Sequence, residues 1–188
     1  MALVDTPLCN FDWQAPDFTL SDPTGRRVAL ADQWAASVVL VAFICNHCPY
    51  VQRIADRLAA DTAALQAEGI AVLGIMSNDY VAYPDDAPAA MLQFAQQHGF
   101  EFPYLVDTDQ AVGRTYGAVC TPDFFGFNAN GGLQYRGRLD DARAAENPDQ
   151  RVPELLNAMR QIAATGRGPE AQHPSMGCSI KWRDSARS

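Results

Sequence analysis

The chain has 188 residues, 48% of them hydrophobic and 19% charged, which is one domain's worth of core and excludes a disordered chain. Lys and Arg number 14 against 22 Asp and Glu, a formal net charge of −8, so the basic surface that nucleic-acid binding requires is missing. Five cysteines (Cys9, Cys45, Cys48, Cys120 and Cys178) are an odd number, scattered over a chain too long to need a disulfide framework.

The opening Met1-Ala2-Leu3-Val4-Asp5 has neither the basic start nor the cleavage site of a secretory signal. The longest apolar run, ending at Cys45, falls far short of the ~20 residues that cross a bilayer. The expectation is a cytoplasmic protein with reduced thiols and no membrane partner.

Phe18-Thr19-Leu20 and Val28-Ala29-Leu30 flank a Pro/Gly turn and read as a β-hairpin over 17–30. Val38 to Ile44 is a β-branched, apolar run suited to a strand buried on both faces. From Pro49 the period becomes helical, with Val51, Ile54, Ala55, Leu58 and Leu65 on one face and Gly69 as the stop. Ile70 to Ile75 is a second buried strand. Asp85, Asp86 and Pro88 start a helix that Gly99 ends. Tyr104 to Val106 is a short strand, followed by a short helix over 109–116. Phe124–Asn128 and Leu133–Leu139 flank Asn130-Gly131-Gly132 as a second hairpin, whose Arg136, Arg138, Asp140 and Asp141 read as solvated charges. A last helix runs over 153–164.

Residues 1–165 read as one domain with an N-terminal arm. Residues 166–188 read as a tail, docked by Met176, Ile180 and Trp182. Strands joined through helices give an α/β fold with parallel pairing at the centre, antiparallel hairpins beside it, and helices on both faces.

The sharpest motif is Phe43-Ile44-Cys45-Asn46-His47-Cys48-Pro49-Tyr50, where a buried strand meets a long helix. Pro49 suits the first helical position, which makes Cys48 the N-cap. Free backbone N–H groups and the helix dipole there favour thiolate over thiol, and the thiolate is the nucleophile of disulfide exchange and of attack on peroxides. A turn brings Cys45 within about 7 Å of Cys48, a separation a disulfide tolerates. His47 can add positive charge or carry a proton. Cys178 is read either as a passive thiol or as a visitor that resolves oxidised Cys48.

These residues, with Thr121-Pro122 before the strand pair, resemble the thioredoxin fold. Ala15-Pro16-Asp17-Phe18-Thr19-Leu20 resembles the start of its alkyl hydroperoxide reductase/thiol-specific antioxidant branch. Cys120-Thr121-Pro122-Asp123-Phe124-Phe125 and Gly177-Cys178-Ser179-Ile180-Lys181-Trp182 resemble a group of bacterial redoxins. The resemblance covers about residues 13–182. It implies a thioredoxin fold with an inserted α-β unit, Cys48 as the attacking cysteine, and Pro122 as a cis-proline beside which a disulfide-bearing partner strand binds. It also has departures. Val51 stands where thioredoxin has its second cysteine. Cys45 stands where peroxiredoxins have a Thr, and Thr121-Pro122-Asp123 occupies the neighbourhood of their activating Arg. The strand Val39–Ala42 lacks thioredoxin's buried acid.

Three functions follow. The first is thiol–disulfide exchange through Cys48, resolved by Cys45 or Cys178. The second is a peroxiredoxin-like peroxidase that reduces hydroperoxides through Cys48. The third is a non-enzymatic zinc or copper protein using Cys45, His47 and Cys48, a cramped set for one tetrahedral ion. In the first reading no metal or cofactor is expected, and Pro122, Thr121, Cys120, Asn46, His47 and Pro49 surround the bound partner. That partner is a protein or low-molecular-weight thiol or disulfide, or a hydroperoxide, with a thioredoxin- or glutathione-type electron donor.

Overall fold

The computed structural model describes residues 3–36, 38–142 and 150–183. Seven strands form the main sheet: β2 (Thr19–Ser21), β3 (Arg27–Ala29), β4 (Val39–Phe43), β5 (Ala71–Met76), β6 (Tyr104–Val106), β8 (Asp123–Phe127) and β9 (Leu133–Tyr135). Their spatial order is β3-β2-β6-β5-β4-β8-β9. The centre, β4-β5-β6, is parallel; the hairpins β2-β3 and β8-β9 join it antiparallel through β2-β6 and β4-β8. This is the mixed sheet expected from the pattern of buried runs and crossover helices.

The period of two along β4 builds both cores. Leu40, Ala42 and Ile44 face one core, shared with the helices α1 (Pro49–Ala67), α2 (Pro88–His98) and α4 (Glu154–Thr165). Val39, Val41 and Phe43 face the other, with Phe125, Phe127 and Tyr116. A 3-10 helix (Ala31–Ala36) and the short α3 (Ala111–Thr115) flank this second face, together with Trp13 and Trp182. The three long helices therefore share one side. Among the described residues no helix is long and apolar enough to cross a membrane.

Three strands were not legible in the sequence: β1 (Leu3–Asp5), β7 (Cys120–Thr121) and β10 (Met176–Ser179). They form a second, antiparallel sheet in the order β1-β10-β7. Of the tail, residues 166–183 are described and 184–188 lie outside the described residues.

The hairpin charges expected to be solvated are largely buried. The tail covers β9: Gln172 donates to the Gln134 carbonyl, and its own side-chain oxygen accepts from the Arg136 N–H. Arg136 must then find an internal partner. It donates to Asp123 at 2.8 Å and stacks over Phe125 at 4.4 Å. Arg138 pairs with Glu154, and Asp140 accepts from Arg57 at 2.8 Å; Asp141 alone of the four is exposed. Burial pushes the Asp123 carboxyl up, against the pull of Arg136, to about 6. Arg136→Ala would leave Asp123 buried without its ion-pair partner. The expected loss is about 3–5 kcal/mol of stability, checked by urea unfolding.

Candidate active site

β4 ends at Phe43 and α1 begins at Pro49, so the loop 44–48 leaves the carboxyl end of a central strand, the place where open α/β sheets gather their sites. Pro49 occupies the first helical turn and Cys48 is the N-cap, with extended backbone (φ −73°, ψ 118°). Facing this loop, the Thr121–Pro122 peptide is cis and links β7 to β8.

Three thiols meet here. As a neutral thiol, Cys48 donates to the Thr121 carbonyl at 3.2 Å. As a thiolate it accepts from the thiols of Cys45 and Cys178. Hydrogen bonding from Cys45 is the largest influence on it; burial opposes ionisation, and the Val51 N–H and Cys178 assist it. The balance brings Cys48 down to about 5. Cys45 is driven the other way by its bond to Cys48, by burial and by the nearby Asp86 charge. Burial, then Cys48, pushes Cys178 up to about 11. One thiolate is thus held by two thiols that keep their protons. The Cys45 sulfur also lies 3.2 Å from Thr121 Oγ1.

Cys178 arrives on β10, which pairs with Thr121 on one side and with Leu3 of β1 on the other. Gly177 makes this approach possible, since a Cβ there would collide with the Thr121 carbonyl. Cys120 is the neighbour of Thr121 but turns away, its sulfur 3.6 Å from the Pro122 carbonyl, and burial raises it strongly. Cys9 packs half-buried against the second core, away from the other thiols.

Asn46 faces inward. Its amide donates to the Asp85 carbonyl and its oxygen accepts from the Tyr104 hydroxyl at 3.0 Å, so it holds the loop. His47 stacks on Tyr83 with ring centroids 5.5 Å apart. Its Nδ1 meets Asp86, while Nε2 is enclosed and, among the described residues, without a hydrogen-bond partner.

Asp86, on a 3-10 turn (Pro84–Asp86) before α2, is the residue sequence reasoning missed. In the sequence it reads only as a helix-start signal. It is fully buried, and it accepts the Asn46 and His47 N–H groups at 2.8 and 3.1 Å and the Asn78 amide at 2.8 Å. Burial raises its carboxyl, but the bonds from His47 and Asn78 outweigh this and hold it below the usual range. The same bond to Asp86 raises His47 despite partial burial. Three donors from the loop, the Asn46 and His47 N–H groups and His47 Nδ1, converge on this carboxylate and explain why the loop takes this shape. Among the described residues the metal-type cluster is Cys45, His47 and Asp86, not the Cys45, His47 and Cys48 set read from the sequence. Cys48 faces the thiols instead.

A crystal structure of an uncharacterized conserved protein from Geobacillus kaustophilus is similar over 99% of both chains, with a TM-score of 0.90 and 38% identity. A putative peroxiredoxin of Mycobacterium tuberculosis is 27% identical over 118 residues, 63% of this chain and 70% of that protein. The thiol-disulfide oxidoreductase ResA of Bacillus subtilis is 25% identical over 117 residues, 62% of this chain and 61% of that protein. The mixed sheet with its cysteine at a β-to-α junction is the thioredoxin fold. The model of the AhpC/TSA family matches residues 12–136, more than half of the sequence, and the chain belongs to that family of thioredoxin-like redoxins.

Proposed function

We propose that the chain is a thiol–disulfide oxidoreductase in which Cys48 is the nucleophile. The carrying observation is the placement of Cys48 at the N-cap of α1, against the cis Thr121–Pro122 peptide and with Cys45 and Cys178 converging on the same Thr121, a setting that lowers its thiol. The Cys48 thiolate attacks one sulfur of the substrate disulfide. That bond breaks, a mixed disulfide forms, and the departing thiolate takes a proton. Cys45 or Cys178 then loses its proton and attacks the Cys48 sulfur, releasing the second substrate thiol. The substrate gains two electrons and the protein holds an intramolecular disulfide. A thioredoxin- or glutathione-type donor returns it to the dithiol state. Similarity to a thiol-disulfide oxidoreductase supports this reading.

Mass spectrometry of the protein after one equivalent of a small disulfide tests it. The expected product carries one internal disulfide that includes Cys48. A disulfide confined to other cysteines would overturn the assignment.

Peroxide reduction is the second reading, supported by the family and by the putative peroxiredoxin relative. There Cys48 would become a sulfenic acid, resolved by the same thiols or by an external one. Two features weigh against efficiency: Cys45 stands where the resemblance expects a Thr, and Thr121-Pro122-Asp123 occupies the neighbourhood of the activating Arg it expects. Hydroperoxide consumption well below disulfide reduction at equal concentration is the expected result.

A further inference from the structure

Extended peptides bind proteins by adding a strand to an exposed sheet edge. At this site the edge beside the nucleophile is that of β7, and it is taken. Cys178 pairs with Thr121 and Ser179 with Cys120, while the far side of β10 is covered by β1. β10 is also fastened at both ends. Before it, Ser175 donates to the Pro122 carbonyl at 2.8 Å and exchanges bonds with Thr6. After it, the Lys181 N–H donates to Asn78 at 2.8 Å, and the Lys181 carbonyl accepts from Gln110 at 2.8 Å. Ile180 and Trp182 sit in the second core. Cys48 and Cys45 beside this strand are 0% and 1% exposed, and Cys178 on it is 4% exposed. Beside it opens a cleft of about 490 Å³, lined among others by Tyr50, Ile54, Pro122, Ser175 and Met176 and by none of the three cysteines, a volume within the range of small-molecule sites.

We infer that β10 is a built-in partner strand, that it keeps extended polypeptides off Cys48, and that the disulfide reduced here is a low-molecular-weight one. This rests on the thiol-exchange reading above. It also selects the second thiol. Once Cys48 is in a mixed disulfide its negative charge is gone, and the bond and repulsion that raised Cys45 and Cys178 go with it. Cys45 still faces the Asp86 charge, whereas Lys181 favours ionisation of Cys178. Cys178 also stands in register opposite Thr121, whose carbonyl meets the Cys48 sulfur at 3.2 Å, so the strand that fills a partner's place brings a sulfur to Cys48, and Cys178 attacks it.

The test is single-turnover oxidation of the reduced full chain by two probes with the same type of S–S bond. One is bis(2-hydroxyethyl) disulfide. The other is a ten-residue extended peptide whose one cysteine is disulfide-linked to 2-mercaptoethanol. At equal concentration the small disulfide is expected to react at least about fivefold faster. The disulfide formed should be Cys48–Cys178. Gly177→Val, which drives β10 off Thr121, is expected to shrink the ratio; Ser175→Ala combined with Asn78→Ala loosens the same strand should that variant fail to fold. A wild-type ratio below fivefold, or a faster peptide, overturns the inference and leaves thiol exchange standing. Failure of both probes to oxidise the protein overturns the two together.

Discussion

Cys48→Ser is expected to lower the rate of disulfide reduction by roughly a thousandfold or more, as loss of a nucleophile does when the rest of a site survives. The same substitution has a spectroscopic signature. The wild-type thiolate should appear in ultraviolet absorbance as a step at about pH 5, and the step should vanish in Cys48→Ser. Stability follows from the same shift. Between about pH 5 and 9 the folded chain holds a thiolate that the unfolded chain does not. This contribution grows with pH across the window and is lost as pH falls through the folded value. Urea midpoints of wild type minus Cys48→Ser should therefore rise from pH 5 to pH 8. A flat difference would show that Cys48 is an ordinary buried thiol.

Asp86→Ala should be the most damaging change that removes no sulfur. It strips the acceptor from the Asn46 and His47 N–H groups and from the Asn78 amide. Each buried donor left unmatched costs about 1–3 kcal/mol, so a loss of about 4 kcal/mol is expected. The rate should fall about tenfold or more, because the loop carrying Cys45 and Cys48 is no longer fixed. Asp86→Asn separates shape from charge: it keeps an acceptor but not the ion pair with His47. The signs for that pair are opposite at its two ends. The lowered Asp86 contributes stability above its ordinary value of 3.8 and loses it as pH falls. The raised His47 contributes below its ordinary value of 6.5 and loses it as pH rises through the raised one. The stabilisation lost in Asp86→Asn should thus be largest between those two ordinary values. Equal thermal midpoints for wild type and Asp86→Ala would sink this role.

The central fold was written locally. The run from Val38 to Ile44 announced a strand buried on both faces, and Pro49 with the helical period after it announced α1. Asn130-Gly131-Gly132 marked the turn between β8 and β9. What was not legible depended on distant partners. Met176-Gly177-Cys178-Ser179 carries no alternation of its own and becomes a strand because two edges, β1 and β7, accept it. Asp86 carried a true local signal, that of a helix start, and the signal concealed its larger role, since burial against Asn46 and His47 arises only when the loop folds back over it. Arg136 reads as solvated because nothing near it in sequence shows that Gln172 will reach its strand, and Asp140 because its partner Arg57 lies far away on α1. Cys178 could be named as a candidate from the tail, but its side of the sheet and its register could not.

The joining of β1 to β7 through β10 also bears on how the chain comes into being. Synthesis runs from the N-terminus, so Cys45, Cys48 and every residue of the main sheet are made before residues 176–179. Until then the edge of β7 is open, and Cys48 lacks the donor that Cys178 supplies. The strand that finishes the reactive centre is the last described strand to emerge, and it arrives as the cover over that centre. With β10 acting as the inferred cover, a growing chain shows the Cys48 sulfur to other proteins only for the interval between making that cysteine and making the strand over it.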